Sequence, residues 1–379
     1  MKNSKLDKTL LFLTIVFSIF GLIMVLSASS MASYMRYNNT IYYYFIRQII
    51  FILIGVITFL IALYFPSKLF KKTSLAMTLL ITISLFGLLI YGGNFNATAR
   101  SWYYIGPISI QPSELIKVFI VLYLANYYEK NKDHLDNQWT ILKPIILCAI
   151  IFFLVAMQPD FGTAFIILLI VLAIFYAIPI KKDSRKMITR LLVLAILSIL
   201  AYSILTGGSF LRDYQLQRFN FLKPCERYQE ESGYQLCNSL IAFKNGGLLG
   251  KGIGESTQKY LYLPEAHTDF IFPIIVEEWG MLVGILIIIL YGYMVYRIIR
   301  ISRKATCLSN SILTFGIGIY FLSHIVINLL GVMGLAPLTG VPLPFLSYGG
   351  SYTIAIFFAM GLVQRVNYET YLYDKKRKK

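Results

Sequence analysis

The chain has 379 residues, 57% of them hydrophobic and only 14% charged, with a mean hydropathy of +0.67. That composition excludes a soluble globular domain and points to an integral membrane protein. The formal net charge of +17 is not a nucleic-acid footprint, because the basic residues sit in short loops between apolar runs, where they set topology and attract anionic lipid.

Apolar runs of roughly 17–25 residues can cross the hydrocarbon as helices. Ten are expected, at about 9–28, 43–65, 74–92, 113–129, 143–158, 161–179, 190–206, 270–296, 309–333 and 350–366. The expected fold is therefore an all-α polytopic membrane protein, a single domain over 1–379. The first run lacks a small-residue cleavage site and is followed by further spans, so it is expected to be a retained helix. Lysines and arginines cluster in every second loop: Lys2, Lys5 and Lys8; Lys68, Lys71 and Lys72; Lys130, Lys132 and Lys143. The series continues with Lys181, Lys182, Arg185, Lys186 and Arg190, then Arg297, Arg300, Arg303 and Lys304, and a short basic tail over about 367–379. Cytoplasmic loops retain positive charge, which places both termini in the cytoplasm.

That topology turns the longest loop, about 207–268 between the seventh and eighth spans, to the outside, and loops of that length usually carry function. It holds the Gly-rich turn "NGGLLGKGIG" and the run "YQLCNSLIAF", whose pattern suits a short amphipathic helix at the membrane surface. Cys225 and Cys237 lie in it, while Cys148 and Cys307 lie in or near spans. Two cysteines facing an oxidising exterior can pair, but they make no framework, and the pairing stays open.

Ionisable residues at membrane depth are costly unless they work or are paired. "QPSELIKVF" opens the fourth span with Pro112 in the first turn, and Glu114 and Lys117, three residues apart, share a helix face. They form either an ion pair that fixes helix register or a charged wall facing a polar cavity. Ser-x-x-x-Lys is not the Ser-x-x-Lys of penicilloyl-serine enzymes. In "QPDFGTAF", Asp160 either caps the sixth helix or faces the same cavity. Arg100 precedes an interfacial belt of Trp102, Tyr103 and Tyr104, as a headgroup contact or an anion clamp.

"LPEAHTDFIF" places Glu265, His267 and Asp269 within five positions at the start of the eighth span. Thr268 or Asp269 suits its N-cap, which explains one carboxylate but not three titratable groups in a row. His-x-Asp is no metal signature, and neither a Gly-x-Ser-x-Gly nor a Walker motif occurs. A carboxylate at the outer interface suits a general base acting on a lipid-anchored substrate. "PLTGVPLPFLSYGGS", which includes Ser347, is too rich in Pro and Gly for regular helix, and is expected to line the cavity as irregular backbone.

"ESGYQLCNSLIAFKNGGLLGKGIGES", "QKYLYLPEAHTDFIFPIIVEEWG", "GLAPLTGVPLPFLSYGGS", "RSWYYIGPISIQPSELIKVF" and "QPDFGTA" together resemble the shape, elongation, division and sporulation (SEDS) family, more its FtsW and SpoVE types than RodA. The resemblance covers nearly the whole chain. It implies ten helices and a peptidoglycan glycosyltransferase that polymerises lipid II outside the bacterial cytoplasmic membrane. It further implies a class B penicillin-binding protein as transpeptidase partner, other divisome membrane proteins as neighbours, and an essential aspartate at Asp269. Glu265, His267, Glu114 and Lys117 would line the same cavity. "FLKPCERYQEESGYQL" departs from the family, where many relatives carry an Asp-Pro pair, which leaves any role for Glu226 and Arg227 open.

An α-linked donor and a β-1,4 product require one displacement with inversion, a base for the 4-hydroxyl, and stabilisation of the leaving phosphate. Asp269 is the expected base. Arg100, Lys117, Arg212 and Arg218 form the pool for pyrophosphate contacts, with Asp160 and Ser347 as further substrate-binding candidates. Mg²⁺ or Mn²⁺ would assist with ligands left open, and no organic cofactor is expected. The rival readings are a lipid II flippase and a non-catalytic scaffold. Division, elongation or sporulation is not decided by these residues.

Overall fold

The structure is a computed structural model, and it describes residues 5–36, 40–91, 101–105, 108–158, 160–190, 220–260 and 262–378. The seventh expected span, apart from its first residue, lies outside the described residues, as do Arg100, Arg212 and Arg218.

The described chain is mostly helical: α1 (Lys8–Arg36), α2 (Tyr43–Tyr64), α3 (Ser67–Tyr91), α4 (Pro112–Lys130), α5 (Gln138–Met157) and α6 (Phe161–Ala177) are followed by a helical stretch over 182–190. Beyond the undescribed stretch come α7 (Glu231–Gly246), α8 (Ile271–Trp279), α9 (Met281–Lys304), α10 (Leu308–Val332) and α11 (Gly350–Arg377). Six of these, α1, α2, α3, α5, α9 and α10, are long and apolar enough to cross a membrane. α6 is a shorter apolar helix of 17 residues. The expected count of ten is therefore not reproduced among the described residues.

Two expectations are corrected. The eighth span is broken at Gly280, where φ is +85°, into the nine-residue α8 and the long α9. The basic residues of the tail continue α11, which runs unbroken to Arg377. The all-α expectation also misses a small antiparallel hairpin, β1 (Tyr103–Ile105) with β2 (Ile108–Ile110), in register Tyr103 to Ile110. The hairpin is fastened from below: the Tyr103 hydroxyl donates to Ser84 O at 2.7 Å, and the Ser101 hydroxyl donates to Gln158 O at 2.8 Å.

α10 is the most enclosed of the six spans. It packs against α4, α6 and α9, and α11 lies along α2. Apolar burial alone cannot hold helices together in lipid, so close packing and interhelical hydrogen bonds must contribute. At one end Asp7 receives Arg297 at 2.6 Å and the N–H of Leu10 at 3.1 Å, while Gln364 exchanges hydrogen bonds with the Asp7 backbone. At the opposite end of the helices, residues 336–349 leave helical geometry, as the prolines and glycines require. α7 packs against α8, and its Cys237 is disulfide-bonded to Cys225.

Candidate active site

A cavity of about 710 Å³ opens between the hairpin, the starts of α4, α6, α7 and α11, the 262–269 segment and the irregular 336–349 segment. Glu114, Asp160, Glu231, Glu265 and His267 line it, so both sequence clusters meet in one place. A smaller cavity of about 250 Å³ adjoins it through Glu265 and His267, with Arg36 and Lys259 on its far side.

The sequence around each group explains its pose. Pro112 opens α4 where its missing N–H costs nothing, which brings Glu114 into the first helical turn. Glu114 is 3% exposed and Lys117 fully buried. Lys117 Nζ donates to Glu114 Oε1 at 2.8 Å and lies 2.9 Å from His324 Nε2. Glu114 Oε2 has no hydrogen-bond partner among the described residues. The ion pair and the cavity wall, posed as alternatives, are thus one arrangement: the pair is buried and its carboxylate faces the cavity. The cavity's lining includes Glu114 but not Lys117, which stands behind it.

Asp160 likewise does both things expected of it. One oxygen accepts from Thr163 N at 3.1 Å as the N-cap of α6, and the other accepts from Gln111 Nε2 at 2.9 Å across the cavity wall. Ser347 is buried instead, its hydroxyl oxygen accepting from Leu343 N at 2.8 Å. It holds the irregular segment in shape.

The 262–269 segment is built from local turns. Glu265 takes left-handed backbone, φ +55°, with its carbonyl accepting from Thr268 N and Phe270 N. A non-Gly residue there costs free energy and persists only where the surroundings fix it. The Thr268 hydroxyl stands among three acceptors, 3.1 Å from Glu265 Oε2 and 3.0 Å from both Asp269 Oδ1 and the Glu265 carbonyl, and its one hydrogen is shared among them. Neither Thr268 nor Asp269 caps the following helix; the N-cap position is Phe270, without a side-chain bond. Asp269 is half-buried. Its backbone carbonyl accepts from Asn328 Nδ2 at 2.7 Å, and its Oδ2 lies 3.8 Å from where a Cβ on Gly340 would stand. Gly340 lines the cavity, so the carboxylate sits at its edge beside bare backbone.

His267 is 4% exposed, its ring packed on Tyr44 and Tyr348 at centroid distances of 4.4 and 5.5 Å. Burial pulls its pKa down from 6.5 to about 4, Glu265 opposing and Arg36 adding to the effect. The imidazole is therefore neutral at pH 7, a hydrogen-bonding group and not a cation.

Sequence reasoning missed His324, Asn328, Gln111 and Glu231. For His324 the signal was present: an ionisable side chain inside an apolar run. Among the described residues no three His, Cys, Asp or Glu side chains converge closely enough to hold a metal ion.

The family model described as "Cell cycle protein", FtsW/RodA/SpoVE, matches residues 7–372. The chain is 38% identical over 382 residues to the probable peptidoglycan glycosyltransferase FtsW of Bacillus subtilis (strain 168), covering 98% of this chain and 93% of that one. It is 36% identical to the protein of the same name from Coxiella burnetii, over 92% and 93%. Among solved structures, a chain from a study of structural coordination of polymerization and crosslinking by a peptidoglycan synthase complex superposes with a TM-score of 0.74 at 24% identity, over 97% of this chain and 98% of that one. The rod shape determining protein RodA of Thermus thermophilus gives 0.65 at 23%, over 96% of each. These likenesses show the fold.

Proposed function

From the premise that the chain belongs to the FtsW/RodA/SpoVE family of cell cycle proteins, we propose that it is a peptidoglycan glycosyltransferase that polymerises lipid II into β-1,4 glycan. The observation that carries this reading is the cavity, where an aspartate at the edge meets a wall of oriented carboxylates.

Asp269 acts as general base. It takes the proton of the acceptor sugar's 4-hydroxyl while that oxygen bonds to C1 of the donor, and the C1–O bond to pyrophosphate breaks with inversion. Two features support the assignment: Asn328 fixes the backbone of Asp269, and Oδ2 faces Gly340, where no side chain intervenes. Positioning of this kind supplies much of a bimolecular rate enhancement. Glu114 Oε2, unpartnered in the wall, accepts a substrate hydroxyl or amide N–H, and neutral His267 does the same or donates. Trp102, Tyr44 and Tyr348 give the sugars apolar faces to rest on. Arg100, Arg212 and Arg218 remain the pyrophosphate contacts. Lys117 holds Glu114 in place through their hydrogen bond rather than touching phosphate. Mg²⁺ or Mn²⁺ would supply charge to the leaving pyrophosphate, but with no cluster of three ligating side chains among the described residues, no step is routed through an ion.

The cavity opens outside the cytoplasmic membrane with both termini inside, a reading supported by the basic loops. A class B penicillin-binding protein cross-links the product, with other divisome membrane proteins nearby. The FtsW names of the curated relatives favour septum synthesis in division or sporulation. The test is polymerisation of purified lipid II in detergent, with and without the partner, comparing wild type with Asp269→Asn. Polymer from the wild type alone is expected. No polymer from a folded complex with the right partner would turn the reading to a lipid II flippase or a scaffold.

A further inference from the structure

His324 is one of three histidines in the chain, 1% exposed in the middle of α10, and nothing in the reaction above uses it. Its ring is held on every side. It stacks on Tyr352 at 4.8 Å and meets Tyr320 edge-on at 4.9 Å, and Lys117 Nζ lies over the same two tyrosines, at 5.9 and 5.5 Å.

Its hydrogen bonds fix the proton. Nδ1 lies 3.1 Å from Pro342 O, which can only accept, so Nδ1 carries hydrogen. Nε2 lies 2.9 Å from Lys117 Nζ, and an ammonium can only donate, so Nε2 offers its lone pair. Two unrelated neighbours thus require the same species, the neutral Nδ1–H tautomer. An imidazolium would set an N–H against an ammonium in a fully buried site.

The result is a relay with both ends in the cavity wall. Pro342, on the irregular segment, receives His324; His324 receives Lys117; Lys117 donates to Glu114 Oε1; Glu114 Oε2 is left open. An ion pair that merely fixed helix register would need Glu114 and Lys117 alone, on one helix. Here a second helix and the cavity-lining segment are tied to it. We propose that His324 is a positioning residue for the polymerase site, holding the Lys117 ammonium on Glu114 and locking that carboxylate to the cavity wall at Pro342. A substrate group reaching Glu114 then meets an acceptor already aimed, with no reorganisation left to make at the moment of reaction.

The activity arm of the test rests on the proposed glycosyltransferase function; the spectroscopic arm does not. In ¹⁵N-histidine-labelled full-length protein, the signals lost in His324→Gln should belong to a ring protonated on Nδ1 and bare on Nε2. An Nε2–H tautomer or an imidazolium overturns the proposal, whatever the protein's activity. In lipid II polymerisation, His324→Leu should lower kcat/KM on the order of 100-fold, the scale of a small misplacement in a positioned site. His324→Gln, with an oxygen for Lys117 and an N–H for Pro342, should recover activity to within about three-fold of wild type, well inside that range. A folded His324→Leu with wild-type kinetics overturns the proposal, and so does a folded His324→Gln that fails to recover. Should His324→Leu not fold, the glutamine variant and the tautomer decide. A wild type that makes no polymer defeats the functional reading and leaves the tautomer to decide the relay.

Discussion

The carboxamide of Asn328 spends both of its hydrogens on carbonyls of two different segments, Asp269 O and Val341 O, each at 2.7 Å. One side chain on α10 therefore joins the segment that carries the aspartate to the segment that carries Gly340. Asn328→Leu removes both bonds without opening a large void. Each carbonyl left dry costs about 1–3 kcal/mol, so the thermal midpoint should fall. The polymerisation rate should fall further than stability alone explains, because Asp269 loses its fixed distance to the cavity. A variant that melts early yet turns over normally would show that Asn328 is only a brace.

The buried imidazole of His267 sets a pH dependence of stability. Its pKa is lowered from 6.5 to about 4 by burial against Tyr44 and Tyr348. The unfolded chain thus takes up this proton first as pH falls, and the folded state is penalised. The contribution of the neutral ring is complete above pH 6.5 and lost as pH falls towards 4, on the order of 3 kcal/mol over that window. Measured at several pH values between those limits, the thermal midpoint of the wild type should fall relative to that of His267→Phe as pH is lowered. Parallel curves would refute the assignment.

The Cys225–Cys237 bond closes a loop with a separation of 12 residues. In the chain-entropy account a loop of that size contributes about 3 kcal/mol. Glu231, in the cavity wall, lies within the loop, and Arg227 braces it through Glu230 at 2.8 Å. Reductant should lower the melting temperature of the wild type and leave a Cys225→Ser/Cys237→Ser protein, already less stable, unchanged. Equal sensitivity of the two would mean the bond is not formed.

Glu277 on α8 is fully buried and gathers a loop around itself. Ser256 Oγ and Gln258 N donate to one oxygen at 2.5 and 3.1 Å; Asn245, Thr257 and Lys251 approach the other at 2.9, 2.8 and 3.3 Å. Glu277→Ala strips five donors of one acceptor and should destabilise by roughly 3–5 kcal/mol, as removal of one member of a buried charged cluster does. Glu277→Gln, which keeps one acceptor oxygen, should lose less. Limited proteolysis around 251–260 reads the loosening directly, and resistance equal to wild type would contradict the anchor.

What the sequence made legible was local. Glu114 and Lys117 meet because three residues make nearly a helical turn, Asp160 caps because it stands before an apolar run, and residues 336–349 are irregular because Pro337, Pro342 and Pro344 forbid otherwise. The contacts that assemble the site are not local. Lys117 and His324 are 207 positions apart, and no periodicity joins them. Nor was the break at Gly280 readable, since apolar residues flank it on both sides and a single glycine is tolerated in a helix. The hairpin was hidden for a different reason: two three-residue strands rich in tyrosine and isoleucine look like an interfacial belt.

The interruption at Gly280 has a consequence for how the molecule is assembled. A helix of nine residues spans about 13 Å and cannot cross a bilayer, and its exposed backbone must find partners. It finds them in the glycine-rich turn: Met281 N and Leu282 N donate to Gly247 O and Leu248 O, while Lys251 N and Gly252 N donate to Glu277 O and Glu278 O. The approach is so close that a Cβ on Gly250 would stand 2.3 Å from Glu278 O, and one on Gly280 2.3 Å from Leu248 O. The ribosome delivers the turn before the segments it completes. The turn and the broken eighth stretch complete each other's backbone hydrogen bonds, so neither has its full set of partners without the other.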